Sequence, residues 1–281
     1  MNGMHLDQEM MKAELTALVN RAFSLPEVKC IRVRDTVICR GREKADRICE
    51  AVEKSWHDYL SDVDLCIEVQ LHPDSGVTQE EYTAGIERFG FDRETCFGRS
   101  FIPQSSMWRL ALKNGVRFDV GFSVEWSPEG EKLAAFPQVE EDEDGPVGEL
   151  VWPMKRADAF WFVQVQALGK LFRNDYLIAD HLAHMGLNET LEQQMVMRDI
   201  RYGTNHHRYG YAEKRGYEEY LEECPFLTGD KNRDAIARKL YAAAMAYEEY
   251  LNCFHTNWNN QSWYFFDLWE CYERQGKPEV Y

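Results

Sequence analysis

Asp62, Asp64 and Asp119 are the residues of this 281-residue chain whose type and spacing point to chemistry. In Leu60-Ser61-Asp62-Val63-Asp64-Leu65-Cys66-Ile67-Glu68-Val69, the apolar Val63, Leu65, Ile67 and Val69 alternate with Asp62, Asp64, Cys66 and Glu68. Period-two alternation marks a strand with one buried face. Residues i and i+2 of a strand project the same way, about 7 Å apart, so Asp62 and Asp64 are expected on one face. Carboxylates so placed repel each other, and a divalent cation between them relieves the cost. The segment Gly115-Val116-Arg117-Phe118-Asp119-Val120-Gly121-Phe122 has the same grammar. Its apolar face is Val116, Phe118, Val120 and Phe122, and Asp119 stands opposite with Arg117 and Gly121. If the two strands are neighbours, the three carboxylates form an oxygen-rich, hard donor set suited to magnesium. Such a set can hold two ions roughly 4 Å apart, one on an attacking oxygen and one on a triphosphate. An Asp-x-Asp on a half-exposed strand is also an ordinary solvated feature. The second acid-bearing strand is what favours the metal reading.

The elements that must position these acids differ between the two halves. Short β-branched or aromatic runs at residues 31–39, 63–71 and 116–122 alternate with helix-like stretches at 44–60 and 79–89, which predicts an α/β arrangement. Pro128-Glu129-Gly130, the acidic run at 140–146 and Pro153 read as a solvated break. Beyond it the pattern is helical. Helices are expected at 158–173, 175–185, 187–200 with Asn188 as N-cap, 233–254 and 262–274. Two domains result, residues 1–150 and 151–281, with a boundary inside 125–155.

Composition narrows the function classes. Hydrophobic residues make up 44% and aromatics 13%, enough for a sizeable core, so disorder of the whole chain is excluded. A formal charge of -16 repels phosphate backbones and argues against sequence-independent nucleic-acid binding. No signal-like segment or membrane-spanning apolar run is read, so no membrane partner is expected. The eight cysteines are scattered without CxxC spacing, as for reduced thiols in a cytoplasmic protein. In that compartment the sequons at Asn188 and Asn260 carry no meaning.

The pair of motifs Ser61-Asp62-Val63-Asp64-Leu65 and Phe118-Asp119-Val120 resembles the nucleotidyltransferase superfamily, with its h-D-h-D-h strand and later h-D-h strand. Within that superfamily the chain looks most like bacterial aminoglycoside 6-adenylyltransferases of the streptomycin-modifying type. Ala159-Phe160-Trp161-Phe162 leading to Ala167-Leu168-Gly169-Lys170-Leu171-Phe172-Arg173 resembles the first long helix of that family's second domain. Residues 175–184 and 195–203 resemble the segments that come after this helix in the family, so the likeness covers most of the chain through short motifs. It implies an α+β fold: a nucleotidyltransferase-type mixed β-sheet with flanking helices in a catalytic domain, then a C-terminal α-helical bundle that binds substrate. It implies magnesium-dependent transfer of a nucleoside monophosphate, AMP from ATP in the first instance, to a hydroxyl of a small acceptor such as a cationic aminosugar. Asp62 and Asp64 would bind the metals, and Asp119 would complete the site and draw the acceptor's proton. A monomer or homodimer fits, and the same chemistry on a lincosamide, another metabolite or a protein side chain stays open.

One departure concerns the triphosphate. The superfamily has a Gly-Ser turn shortly before its paired aspartates, whereas the nearest candidate here is Cys39-Arg40-Gly41-Arg42, farther upstream and without the serine. A turn at Gly41 offers backbone N–H groups to phosphate, with Arg40 or Arg42 adding charge. It is equally an ordinary turn, and a degenerate nucleotide-binding module is the corresponding alternative. Ser61, beside the aspartates, is a further candidate contact. Lys170 and Arg173, three apart on one helix, are candidates to reach the triphosphate across an interdomain cleft, or form a solvated basic face. His181 with His184, and His206-His207, suggest zinc only faintly, since neither a cysteine partner nor HExxH accompanies them. His206-His207-Arg208 reads better as a loop. Tyr217-Glu218-Glu219-Tyr220-Leu221-Glu222-Glu223 offers acids and flat rings to an aminosugar, or is an exposed helix. Tyr241, Tyr247 and Tyr250 read as packing residues.

Overall fold

The computed structural model describes residues 6–41, 43–133, 152–203, 214–255, 258 and 260–276. The chain divides into two compact units, Met1–Glu141 and Asp142–Tyr281. This division falls within the acidic run, whose residues lie outside those described, rather than at 150/151.

The first unit is a six-stranded mixed sheet with flanking helices, ordered β2-β1-β3-β6-β5-β4. It opens with α1 (Gln8–Ala22), capped by Asp7, whose side chain accepts from Met10 N at 2.8 Å. Met11, Leu15, Leu18, Val19 and Ala22 form its buried stripe. The apolar run at 31–39 is not one strand. It belongs to a hairpin of β1 (Val28–Val33) and β2 (Thr36–Cys39), closed by the register pair Val33 and Thr36. Arg34 turns the chain at φ 48°, the positive φ that a two-residue hairpin needs to match strand twist. Helix α2 (Lys44–Ser55) stops at Ser55, short of residue 60. β3 (Val63–Leu71) follows. The expected 79–89 helix is α3 (Gln79–Ala84) plus a 3-10 turn at Ile86–Phe89, with Gly85 between them. A capping box fixes the start of α3: Thr78 and Glu81 bond reciprocally.

β4 (Cys96–Ile102), β5 (Met107–Leu112) and β6 (Arg117–Trp126) complete the sheet. β3 and β6 run parallel, while the remaining neighbours are antiparallel. Along β3, Val63, Leu65, Ile67, Val69 and Leu71 are buried, while Asp64 is exposed and Cys66, Glu68 and Gln70 are half-buried. The apolar side of β6 packs under the α3 region. Phe122 meets Phe89 at 5.3 Å and Tyr82 at 6.1 Å between ring centroids, and Phe118 meets Phe91 at 6.0 Å. Deleting a ring buried like Phe118 costs about 3–5 kcal/mol. The sheet is thus held from one side, and its other side carries the acids.

The second unit is helical: α4 (Met154–Phe172), α5 (Tyr176–Tyr202), α6 (Lys231–Phe254) and α7 (Ser262–Gln275). The two helices expected at 175–185 and 187–200 are one helix of 27 residues, so Asn188 is interior and not a cap. Gly186 suggests a break on propensity, but its missing side chain is where Gln164 of α4 lies: a Cβ there would sit 1.9 Å from Gln164 Nε2. An aromatic core joins the helices. Phe160 stacks on Tyr247 at 3.6 Å, and Trp152 Nε1 donates to the Tyr247 hydroxyl at 2.7 Å. Tyr247 is fully buried. Among the described residues no helix is long and apolar enough to cross a membrane, and the eight cysteines are free thiols.

Candidate functional site

Asp64 and Asp119 are register partners on the parallel strands β3 and β6. Partners in register project to the same side of a sheet, so both carboxylates stand on the polar face, with Cys66, Glu68, Gly121 and Ser123 further along the same two strands. Asp62 lies one residue ahead of β3 rather than inside it. Its charge nonetheless bears on both partners. Asp64, though exposed along one side, is raised from its ordinary value by partial desolvation of its carboxyl and then by Asp62, against the pull of Arg34 and Arg109. Asp119, only 8% exposed, is raised from 3.8 to about 6. Burial is the largest cause, Arg109 opposes it, and Asp62 and Asp64 add to it.

Two arginines attend these acids, and sequence reasoning missed both. Arg109 is the register partner of Asp119 from β5. Its Nε donates to Asp119 Oδ2 at 3.2 Å. Arg34, at the hairpin tip, donates Nη1 to the Lys54 carbonyl at 3.0 Å and has the His57 ring at 3.1 Å. Arg109 lies in Met107-Trp108-Arg109-Leu110-Ala111-Leu112, where apolar residues stand on both sides of the strand and no alternation marks it. For Arg34 no sequence signal separates it from an ordinary strand residue.

The approach to Asp62 is a built turn. Asp58 Oδ1 accepts from Leu60 N at 2.8 Å and from Ser61 Oγ at 3.0 Å, and the Asp58 carbonyl accepts from Ser61 N at 3.0 Å. Arg117, buried on β6, donates to the Leu60 carbonyl. Ser61 is therefore part of this turn, beside the acids, with its hydroxyl engaged by Asp58. Among the described residues no group of three or more His, Cys, Asp or Glu side chains is arranged to hold a metal ion. The three acids are close enough to repel, while the oxygens of Asp119 are directed at Arg109.

The other candidates fall elsewhere. Gly41 lies at the opposite end of the strand ladder from Asp64. Cys39 is level with Cys30, and Cys30 with Glu68, four residues past Asp64 or about 13 Å. The distance agrees with the place of Gly41 in the sequence, farther upstream of the paired acids than the superfamily's turn. The 31–39 run folds back on itself, so the turn level with Asp64 is Arg34-Asp35. Arg40 is bound to the carbonyls of Leu25 and Val28, and Arg42 lies outside the described residues. Lys170 and Arg173 are in the second unit, at the C-terminus of α4, where Lys170 pairs with Asp175 at 3.8 Å. Favourable interaction with a helix C-terminus accounts for both cations locally. His184 bonds back to the Asp180 carbonyl at 2.8 Å, and His206-His207-Arg208 lie outside the described residues. Tyr217 is buried, so its ring packs the second unit, while the half-buried Tyr220 donates its hydroxyl to Glu249 of α6 at 2.8 Å.

No protein-family model matches this chain, and no curated protein aligns with it.

Proposed function

We propose that the first unit is the catalytic part of a magnesium-dependent nucleotidyltransferase. It would transfer a nucleoside monophosphate, AMP from ATP in the first instance, to a hydroxyl of a small acceptor. A cationic aminosugar is the leading acceptor class, on the resemblance of the two acid-bearing strands and the α4 segment. The helical unit is then the acceptor-binding part, and the cytoplasm its place of work. The observation that carries the reading is the register of Asp64 with Asp119 on one polar sheet face.

The donor set fits a hard divalent cation. Its atoms are carboxylate oxygens, and Asp119 and Asp64, raised first by burial, are raised further by the neighbouring aspartates. Asp62, Asp64 and Asp119 are the residues that would hold magnesium. When bound, magnesium supplies charge neutralisation at the triphosphate and alignment of the reacting oxygens. The chain's own contribution is positional. The Asp58 turn and Arg117 fix the backbone leading to Asp62, and the β3–β6 register fixes Asp64 against Asp119. In the transfer, the acceptor oxygen forms a bond to the α-phosphorus as the bond to pyrophosphate breaks. The hydroxyl proton passes to a carboxylate oxygen of Asp119.

A second reading is favoured by one observation. Gly41 sits at the far end of the ladder from Asp64, so a nucleotide-binding module without transfer chemistry fits the altered phosphate turn. Incubation with α-labelled ATP, magnesium and a panel of aminoglycosides, lincosamides and other hydroxylated metabolites separates the two. Label on an acceptor, dependent on magnesium and on Asp64, is expected. Nucleotide binding with no labelled product on any acceptor favours the binding module.

A further inference from the structure

Two cysteines lie side by side on the sheet, away from the acid cluster, and the proposed transfer uses neither. Cys30 of β1 and Cys39 of β2 are register partners. Hydrogen-bonded and non-hydrogen-bonded pairs alternate along an antiparallel ladder. Counting from Val33 and Thr36, which close the two-residue turn, Cys30 and Cys39 fall on a non-hydrogen-bonded pair. There the Cα atoms approach to about 4.5 Å, within the roughly 4.4–6.8 Å that a disulfide spans. The two thiols differ in surroundings. Cys39, on the edge strand, is exposed. Cys30 is 9% exposed, and its Sγ donates to Glu68 Oε2 at 3.0 Å. Burial, and then the bond to Glu68, push Cys30 up to about 12, so on its own it is a poor target for an oxidant.

We infer that Cys30 and Cys39 are a redox-sensing pair, in which exposed Cys39 meets a small-molecule disulfide such as oxidised glutathione and sheltered Cys30 resolves the product into an intramolecular disulfide. The inference is independent of the nucleotidyltransferase reading. In the first step Cys39 Sγ, as its thiolate, attacks one sulfur of the oxidant. The oxidant's S–S bond breaks and one small thiolate leaves. In the second step the Cys30 proton passes to Glu68 Oε2, already its hydrogen-bond acceptor, and Cys30 Sγ attacks Cys39 Sγ. The mixed S–S bond breaks and the second small thiolate leaves. Two protein thiols are thus oxidised, one small disulfide is reduced, and the two protons end on the released thiols. Glu68 keeps Arg32 as a partner throughout, with Nε at 3.1 Å and Nη2 at 2.6 Å. An exposed cross-strand link is readily reduced again, as a sensor requires. Cys66, the third thiol on this face, is level with Arg32 and only diagonal to Cys30.

The test takes the full chain, reduced and then incubated with oxidised glutathione. Remaining thiols are alkylated under denaturing conditions, and the digest is mapped by mass spectrometry without reduction. Trypsin cuts after Lys29, Arg32, Arg34 and Arg40, so the expected bond joins peptide 30–32 to peptide 35–40. It should disappear on treatment with dithiothreitol. Cys30→Ser keeps a donor for Glu68 but lacks the resolving sulfur, so glutathione should stay on Cys39 at about ten-fold or more the wild-type level. In Cys39→Ser, Cys30 should remain unmodified. Three results overturn the pairing: glutathione on Cys39 to the same extent in wild type and Cys30→Ser, a bond from Cys30 to Cys66, or no modification of Cys30 and Cys39 at all. The wild-type peptide map decides the question alone if the serine variants do not fold.

Discussion

Asp64 and Asp119 stand in register across the parallel β3–β6 pair, and Arg109 of β5 flanks Asp119 on its other side. The three-strand row Asp64–Asp119–Arg109 brings together acids separated by more than fifty residues in sequence, with no help from loop conformation. A site built on central strands is held more firmly than one built on loops, so changes of charge there should alter binding and chemistry without altering the fold.

Asp64→Asn tests that separation. Asp64 is exposed at the edge of the acid cluster, and the substitution removes a charge while keeping volume. Nucleotidyl transfer should fall at least ~100-fold, with the thermal unfolding midpoint unchanged or slightly higher because repulsion from Asp62 is relieved. Unfolding of the variant, or full activity, would count against the site.

Asp119 makes stability depend on pH in a defined sense. Its pKa is raised on folding from 3.8 to about 6, so the folded state binds more protons than the unfolded state between those values. Stability therefore falls as pH rises through that window and levels off above it. Asp119→Asn should remove this dependence, and stabilise the protein at pH 8 by about 3 kcal/mol with little effect at pH 3.5. It should also abolish transfer. Denaturant unfolding at the two pH values measures it, and equal stability of the two proteins at pH 8 would contradict the assignment.

Glu248 provides a second titration, in the helical unit. It is 4% exposed, and one oxygen accepts from Trp258 Nε1 at 2.9 Å and Gln261 N at 3.0 Å. Burial raises it from 4.5 to about 7 despite these bonds. Stability is lost as pH rises through that interval, by the same sign rule. Glu248→Gln keeps the accepting oxygen and should stabilise the protein by about 3 kcal/mol at pH 8.5 while leaving stability at pH 4 nearly unchanged. Monitoring unfolding by tryptophan fluorescence across pH decides it.

Gly186 and Gln164 should be energetically coupled. Gly186→Ala places a Cβ 1.9 Å from Gln164 Nε2 and 3.2 Å from Gln164 Cδ, and Gln164 is fully buried. A loss of about 1–3 kcal/mol is expected from the overpacking. In a Gln164→Ala background the same substitution should be neutral or stabilising by up to ~1 kcal/mol, the helix-propensity gain over glycine. Additive effects in the double-mutant cycle would show that the two residues do not touch.

Where sequence alone located the structure, a strict pattern was present. The alternation at 63–71 gave β3 its bounds and put Asp64 on the polar face. The Phe118-Asp119-Val120 segment located β6 and the face of Asp119, but the expected strand ended at 122 whereas β6 continues to Trp126. Residues of β4 were hidden because Cys96, Phe97, Gly98 and Arg99 are all buried, so no period-two pattern survives. The hairpin at Arg34 was hidden because its turn lacks the usual Asn-Gly signal. Gly186 misled because propensity is a local quantity, whereas its tolerance in α5 is set by a side chain on α4. The register of β3 with β6 and the cross-strand approach of Arg109 are long-range pairings, which no single segment encodes.

The most direct test is a crystal soaked with Mn²⁺ and a non-hydrolysable ATP analogue, read by anomalous scattering. A peak within about 2 Å of carboxylate oxygens of both Asp64 and Asp119, in contact with the triphosphate, is expected. Nucleotide and metal bound away from this sheet face, with Asp119 still held by Arg109, would contradict the proposed centre.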